Sequence, residues 1–471
     1  MATRSNPMAV QIALCLSVFL VPFMGSSLNL AMPLIVRDFP MSAFSLTFLV
    51  SAYLVAAAMF QMPAARIADM RGRRKIYLLG LGVFSVFSLA SGLSWSGASL
   101  TAFRFLSGVG SAMVFATNMA ILTAVFPKNE RGKALGVNTA VVYFSAAAGP
   151  FLGGLLAARF GWRSIFFVCT VVAVLSMIVA VFAINDEWTE AKGEAFDTPG
   201  TGIYLVAVGG VIFGFSFLPL WAGWALLLVG AVAFVLFAWT EKRVASPMIH
   251  LDLFYENRHF RLSSLSAMIN YSASFAIGFV MSLYLQYVKG MGTDSAGLAL
   301  MAQPVTQMLL SPFAGKLSDR VNPSILATSG MGLICVGLIG LSQLGGETPV
   351  WGSVIILAVV GVGFALFSSP NMNLIMGSVA SKDAGLASAT TGTARLLGQS
   401  LSIATTSLIV NAYLGRQALT METSGLFLPA MNMAFWIFAG ICLVGVYTSA
   451  SKLLGADGKN GWQHVSQRLE K

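Results

Sequence analysis

Apolar runs of about twenty residues recur along the whole chain, and each is long enough to cross about 30 Å of hydrocarbon as a helix. They fall at 9–33, 43–64, 76–95, 99–125, 134–158, 164–184, 199–219, 222–240, 262–287, 295–315, 324–344, 350–376, 387–413 and 425–450. No water reaches backbone amides inside a bilayer, so a spanning run must close its own hydrogen bonds as a helix. The pattern predicts an all-α membrane protein with fourteen spans. Only Trp221 to Trp224 separates the seventh run from the eighth. The residue mix agrees, at 57% hydrophobic and 10% charged, where soluble domains carry about 25% charged. The first run exceeds the roughly 7–15 residues of a signal-peptide core and reads as an uncleaved span.

Loop charge orients the chain. Basic residues crowd the loops on the side of the N-terminus, as in Arg66, Arg71, Arg73, Arg74 and Lys75. The opposite loops hold only Arg37, Arg159, Arg163, Lys289 and Arg416 of the 28 Lys and Arg. Positive loops stay inside, so both termini are expected in the cytoplasm and the chain in the plasma (cytoplasmic) membrane. The net charge of +10 is then topogenic, and no nucleic-acid partner is expected. Cys15, Cys169, Cys335 and Cys442 sit in apolar runs, while His250, His259 and His464 lie outside them. No disulfide framework, metal centre or cofactor is expected. Nor is an enzyme, for want of a buried His, a ligand cluster or an acid pair.

The chain also repeats itself. Gly108, Gly110, Ala112, Asn118 and Met119 recur as Gly361, Gly363, Ala365, Asn371 and Met372, at a constant offset of 253 residues. Glu130 and Gly132 recur as Asp383 and Gly385 at the same offset, and Asp69 recurs as Asp319 at offset 250. Spans one to six and nine to fourteen therefore read as two parallel copies. The expected organisation is an N-terminal six-helix bundle (1–184), linker helices with a cytoplasmic loop (185–260), a C-terminal six-helix bundle (261–450) and a cytoplasmic tail (451–471). Paired halves about an axis along the membrane normal are a transporter architecture.

Residues 65–75 read ARIADMRGRRK between spans two and three, with GKLSDR at 315–320 as the second copy. Gly72 permits a tight turn. Arg73 and its neighbours hold the loop at the cytoplasmic face, and Asp69 suits a charge contact that forms and breaks. Residues 104–110 read RFLSGVG, and residues 149–154 read GPFLGG. Pro150 removes a backbone donor and the glycines allow close helix approach, so a bend or hinge is expected there.

With these motifs in this order, the chain resembles the major facilitator superfamily, specifically its fourteen-helix drug:proton antiporter family, over essentially its whole length. The resemblance implies a major facilitator fold: two six-helix bundles in parallel pseudo-repeat plus two inserted linker helices. It implies multidrug-type efflux with proton antiport. It also implies gating roles for Asp69, Gly72, Arg73, Arg104, Gly149, Pro150 and Asp319. Two positions depart from the family. Aligned on Asn29 and Pro33, its span-one acid falls on Met24, and Cys169 stands where Asn is usual.

All 18 acids lie in loops, tails or span ends. Intramembrane acids usually carry proton relays, so their absence weakens coupling by the family's usual route and leaves Asp38 and Asp69 as titrating groups near the faces. The deep ions are cationic. Arg104 lies about 8 Å along the fourth span and Arg395 about 12 Å along the thirteenth. Either can be structural, and Arg395 can equally meet substrate. The expected substrate-contacting set is Asn29, Asn118, Asn270, Tyr271, Gln303, Gln307, Asn371 and Arg395, with helix–helix bonding as the other reading of these polar groups. The expected activity is export of amphipathic small molecules by rocker-switch alternating access, proton-coupled by family expectation. The alternative is export of organic anions or lipid-like amphiphiles, with Arg395 as counter-ion and atypical or no proton coupling. Expected partners are the small-molecule substrate, protons and the lipid bilayer, with the chain acting as a monomer.

Overall fold

The computed structural model describes residues 6–127, 130–218, 220–244, 257–318, 320–379, 384–415, 419 and 423–452. Among them every regular element is helical. The first half comprises α1 (Pro7–Asp38), α2 (Ala43–Arg71), α3 (Arg73–Gly92), α4 (Gly97–Val125), α5 (Arg131–Ala148), α6 (Gly154–Phe160) and α7 (Arg163–Ala183). α8 (Thr198–Ser216) and α9 (Trp221–Glu241) follow. The second half comprises α10 (Arg258–Ser274), α11 (Ile277–Leu283), α12 (Thr293–Leu300), α13 (Ala302–Ser318), α14 (Pro323–Leu341), α15 (Val350–Gly377), α16 (Ala384–Leu414) and α17 (Ser424–Ala450).

Local chemistry sets several of these ends. Asn6 accepts from the Met8 amide at 3.1 Å, and Pro7 opens the first turn of α1, where its missing N–H costs nothing. Ser96 and Ser99 form a reciprocal capping box at the start of α4. Pro150 cannot donate inside its helix, and α5 passes into α6 through a π-helical turn at Gly149–Gly153. A second π turn, Tyr284–Val288, ends the ninth span.

The two halves pack alike. α3 lies on α4 and α7, α4 on α2, and α1 on α5 and α7; in the second half α14 lies on α15 and α17, α15 on α13, and α10 on α16 and α17. The repeated glycines explain how the crossings close. A Cβ at Gly110 would sit 2.8 Å from the Gly80 carbonyl, and one at Gly363 would sit 2.7 Å from the Gly330 carbonyl. Side chains at either place would push the helices apart. α8 packs on α9 and also touches α2 and α16, so the inserted pair stands where the halves meet. The Tyr204 hydroxyl anchors it, donating to the Ala58 carbonyl at 3.0 Å.

Among the described residues, helices occupy all fourteen predicted ranges, and 12 of these helices are long and apolar enough to cross a membrane by length and composition. The two outside that number are the segment formed by α12 and α13, broken at Met301, and the Thr- and Ser-rich α16. Both carry the polar groups of the interface between halves.

Candidate functional site

At the end of the bundle remote from the N-terminus, the halves touch directly. Ser282 Oγ donates to the Asn29 carbonyl at 2.7 Å, and Thr47 Oγ1 donates to Ser407 Oγ at 2.6 Å. The Gly149/Pro150 motif lies in this seam. Ser27 Oγ donates to the Gly149 carbonyl at 3.0 Å, and Gly297 of α12 packs against the Pro150 carbonyl from the other half. The Asn29 amide is half-buried and faces Gly278 of α11. Asp38 closes the rim at this end, accepting from Trp162 Nε1 at 2.9 Å and Arg163 at 2.7 Å.

At mid-depth, side chains from both halves converge. The half-buried Tyr143 lies on α5, which packs on α13 of the other half, and Ser311, Ser368, Tyr271 and Arg395 are in its surroundings; Ser368 Oγ is buried without a hydrogen-bond partner. The Tyr271 ring lies 6.3 Å from that of Phe364. Arg395 is half-buried, its Nε has no hydrogen-bond partner, and it forms no ion pair with any described residue. Asn270 is fully buried with both amide atoms unpartnered. Gln303 and Gln307 are half-buried on α13. The Gln303 carbonyl lies against Gly361, and the Gln307 carbonyl accepts from Ser311.

Other expected contacts are taken up within a single half. Asn118 donates to the Leu14 carbonyl and to Ser17, both at 3.1 Å, and accepts from Asn138 at 3.1 Å. Its repeat mate Asn371 donates to the Ser263 carbonyl at 3.1 Å. Both therefore tie the fourth helix of a half to its first, which is the helix-bonding reading of these residues. Arg104 is also committed: it is buried, with Nε donating to the Leu49 carbonyl at 3.0 Å and its guanidinium 5.2 Å from the centre of the Tyr53 ring.

Asn371 has one more partner. Lys452, buried just beyond α17, donates to its Oδ1 at 3.1 Å, and burial pushes the lysine pKa down to about 7. An unfolded lysine titrates near about 10.4. Between these values the unfolded chain binds the extra proton, so stability should rise with pH from about 7 to about 10. Below that window the lysine is charged in both states and its burial is fully destabilising. Melting temperatures of wild type and Lys452→Met across the window should show this slope in the wild type and lose it in the variant. Parallel curves would discard the effect.

At the end that carries the N-terminus, residues 65–75, expected as a loop, are helical apart from Gly72, the turn between α2 and α3, and they are held by a partner that sequence reading missed. Asp69 accepts from Arg73 Nε at 2.8 Å, and Arg73 also pairs with Glu190 at 2.8 Å. Glu194 pairs with Arg66 at 2.6 Å, Glu187 accepts from the Arg74 amide at 2.8 Å, and the Ala191 amide donates to the Asp69 carbonyl at 3.0 Å. The acidic strap 185–197 thus lies across the basic segment. Gly72, at φ +116°, makes room for Glu187. The one available signal was compositional: Asp186, Glu187, Glu190, Glu194 and Asp197 crowd a short segment. Asp319, the expected second-half counterpart of Asp69, lies outside the described residues.

The structure thus pairs two helical halves, with polar side chains between them and salt bridges at one end. The sequence model of the Major Facilitator Superfamily matches residues 14–260 and 263–467. The chain belongs to that superfamily. It is 27% identical over 441 residues to the riboflavin transporter RibZ of Clostridioides difficile, covering 93% of this chain and 95% of that protein. It is 30% identical over 411 residues to the multidrug resistance protein Stp of Mycobacterium tuberculosis, covering 86% and 76%. The tetracenomycin C resistance and export protein of Streptomyces glaucescens is 28% identical over 422 residues, covering 88% and 77%. Among solved structures, a bacterial homologue of the human lysosomal transporter Spinster, inward-facing and unoccupied, superposes with TM-score 0.70 at 14% identity, covering 94% of this chain and 96% of that one. The D-xylose–proton symporter superposes with TM-score 0.67 at 12% identity, covering 94% and 97%.

Proposed function

We propose that this protein exports amphipathic small molecules across the cytoplasmic membrane by rocking its two halves about the Tyr143 cluster, with fourteen spans, both termini cytoplasmic and proton coupling. The carrying observation is the polar surface where α5 of one half meets α13 of the other: Tyr143 with Arg395 and Tyr271 nearby, unpartnered Arg395 Nε and Ser368 Oγ, and the Tyr271 ring 6.3 Å from that of Phe364. Such a mixture suits ligands with an aromatic body and a few polar groups. The similarity to proteins named for multidrug resistance and antibiotic export supports efflux. In this reading the Asn29–Ser282 and Thr47–Ser407 contacts close the outer face, and the 65–75 segment with its acidic strap is the inner latch. Met24 is buried where the family acid is usual, so coupling falls to carboxylates at the span ends, with Asp69 foremost.

Purified protein in proteoliposomes should drive uphill movement of a neutral aromatic amphiphile when a pH gradient is imposed. Asp69→Asn should insert normally and transport more slowly, by roughly five- to tenfold, a charged hydrogen bond discounted for partial exposure. Wild-type flux of neutral amphiphiles indifferent to the gradient would remove proton coupling. No flux of any amphiphile would remove the export reading. A fully active Asp69→Asn would leave the segment a purely topogenic role.

A further inference from the structure

Two arginines lie deep in the spans, and the fold treats them differently. Arg104 donates to a backbone carbonyl and lies against the Tyr53 ring, with its Nη1 left unpartnered. Arg395 has neither: its Nε is buried and unpartnered, and no described carboxylate pairs with it. The repeat does not require it, because offset 253 pairs Arg395 with Val142. Guanidinium does not deprotonate in proteins, so the site holds a permanent positive charge. A charge at this depth persists where it meets a counter-ion or lines a wet cavity. Tyr143 is within its electrostatic reach, and Ser368 and Tyr271, which also neighbour Tyr143, add polar groups to the same region, Ser368 Oγ being buried and unpartnered as well.

We propose that Arg395 is the counter-ion for an anionic group on the transported molecule, an assignment that rests on the export reading above. The substrate class is an amphiphile with a carboxylate, sulfonate or phosphate on an aromatic or apolar body. The planar fork of Arg395 takes two oxygens of the anion, which lysine reproduces poorly. The Tyr143 hydroxyl donates to the same group, and the Tyr271 and Phe364 rings flank the body.

The test uses the full chain in nanodiscs and three probes sharing one body: phenylbutanesulfonate, phenylbutyramide and phenylbutylammonium. Wild type should bind the sulfonate best, by roughly tenfold over the amide for one bidentate charged contact. Arg395→Gln should erase that preference and leave the amide unchanged, with Arg395→Lys in between. Tyr143→Glu supplies an internal carboxylate beside Arg395. It should weaken the sulfonate and favour the ammonium, and it carries the test alone if Arg395→Gln does not fold. A wild type that does not prefer the sulfonate overturns the proposal, as does an equal loss of all three probes in folded Arg395→Gln. Proteoliposome flux separates the two readings. Intact sulfonate preference without flux of any probe removes export and keeps the counter-ion. Flux of amide and ammonium without sulfonate preference removes the counter-ion and keeps export.

Discussion

Gly297→Val should nearly abolish transport while each half stays folded. Gly297 sits on α12 where it crosses the π turn of the other half. A Cβ there would lie 2.3 Å from the Pro150 carbonyl oxygen and 3.1 Å from its carbon. These are backbone atoms, and they cannot swing aside as a side chain can. The strain exists only while the seam is closed, so opening the seam relieves it. Overpacking of this kind costs about 1–3 kcal/mol, which shifts a two-state ratio by about five- to 150-fold. A carrier held open on one face binds but does not cycle. Disulfide trapping reads the shift directly. Cysteines at Thr47 and Ser407, whose hydroxyls are 2.6 Å apart, should cross-link readily in the wild-type background and poorly when combined with Gly297→Val. Equal cross-linking and undiminished transport would show that the seam does not act as a gate.

The parts of this design that show in the sequence are those with a period or a repeat. Apolar runs placed the helices within a few residues, because a span must be continuous and apolar to exist in hydrocarbon. The glycines at 110 and 363 showed the repeat because close helix crossings tolerate nothing larger. Pro150 marked a break in the α-helical ladder, which the structure resolves as a π turn, because a missing N–H has few remedies inside a helix. The number of membrane crossings is less legible, since α12, α13 and α16 carry the polar groups that a site needs and lose apolarity by doing so. Individual polar side chains are less legible still. Asn118 and Asn270 look alike in a string of letters, yet one is bonded on every side between α1 and α5 and the other is buried unpartnered. Which of the two arginines meets a carbonyl and a ring depends on what stands opposite, Leu49 and Tyr53 for Arg104, and no spacing rule gives that. The strap over the 65–75 segment was hidden for the same reason: its charge partners lie more than a hundred residues apart.

That strap makes Gly72 the other position of large expected effect. At φ +116° and ψ 127° Gly72 occupies a conformation that side chains disfavour. A Cβ would also fall 2.4 Å from Glu187 Cδ. Gly72→Val meets both obstacles, with a backbone cost of about 1–2 kcal/mol before the clash. The segment and the strap should part, releasing Arg73 from Glu190 and Arg66 from Glu194. Each partly exposed pair is weak alone, at under about 1 kcal/mol, so once docking geometry is lost the remainder should not hold. Lys192 is exposed in the strap, and limited trypsin cleavage there should quicken several-fold in the variant as transport falls. A second substitution separates the causes. Gly72→Val with Glu187→Ala removes the clash and keeps the strained backbone, so partial recovery of protease resistance assigns the first share to sterics and the rest to φ. Wild-type cleavage and transport rates in Gly72→Val would mean that the strap follows the segment without steering it, and the inner latch would then reside elsewhere.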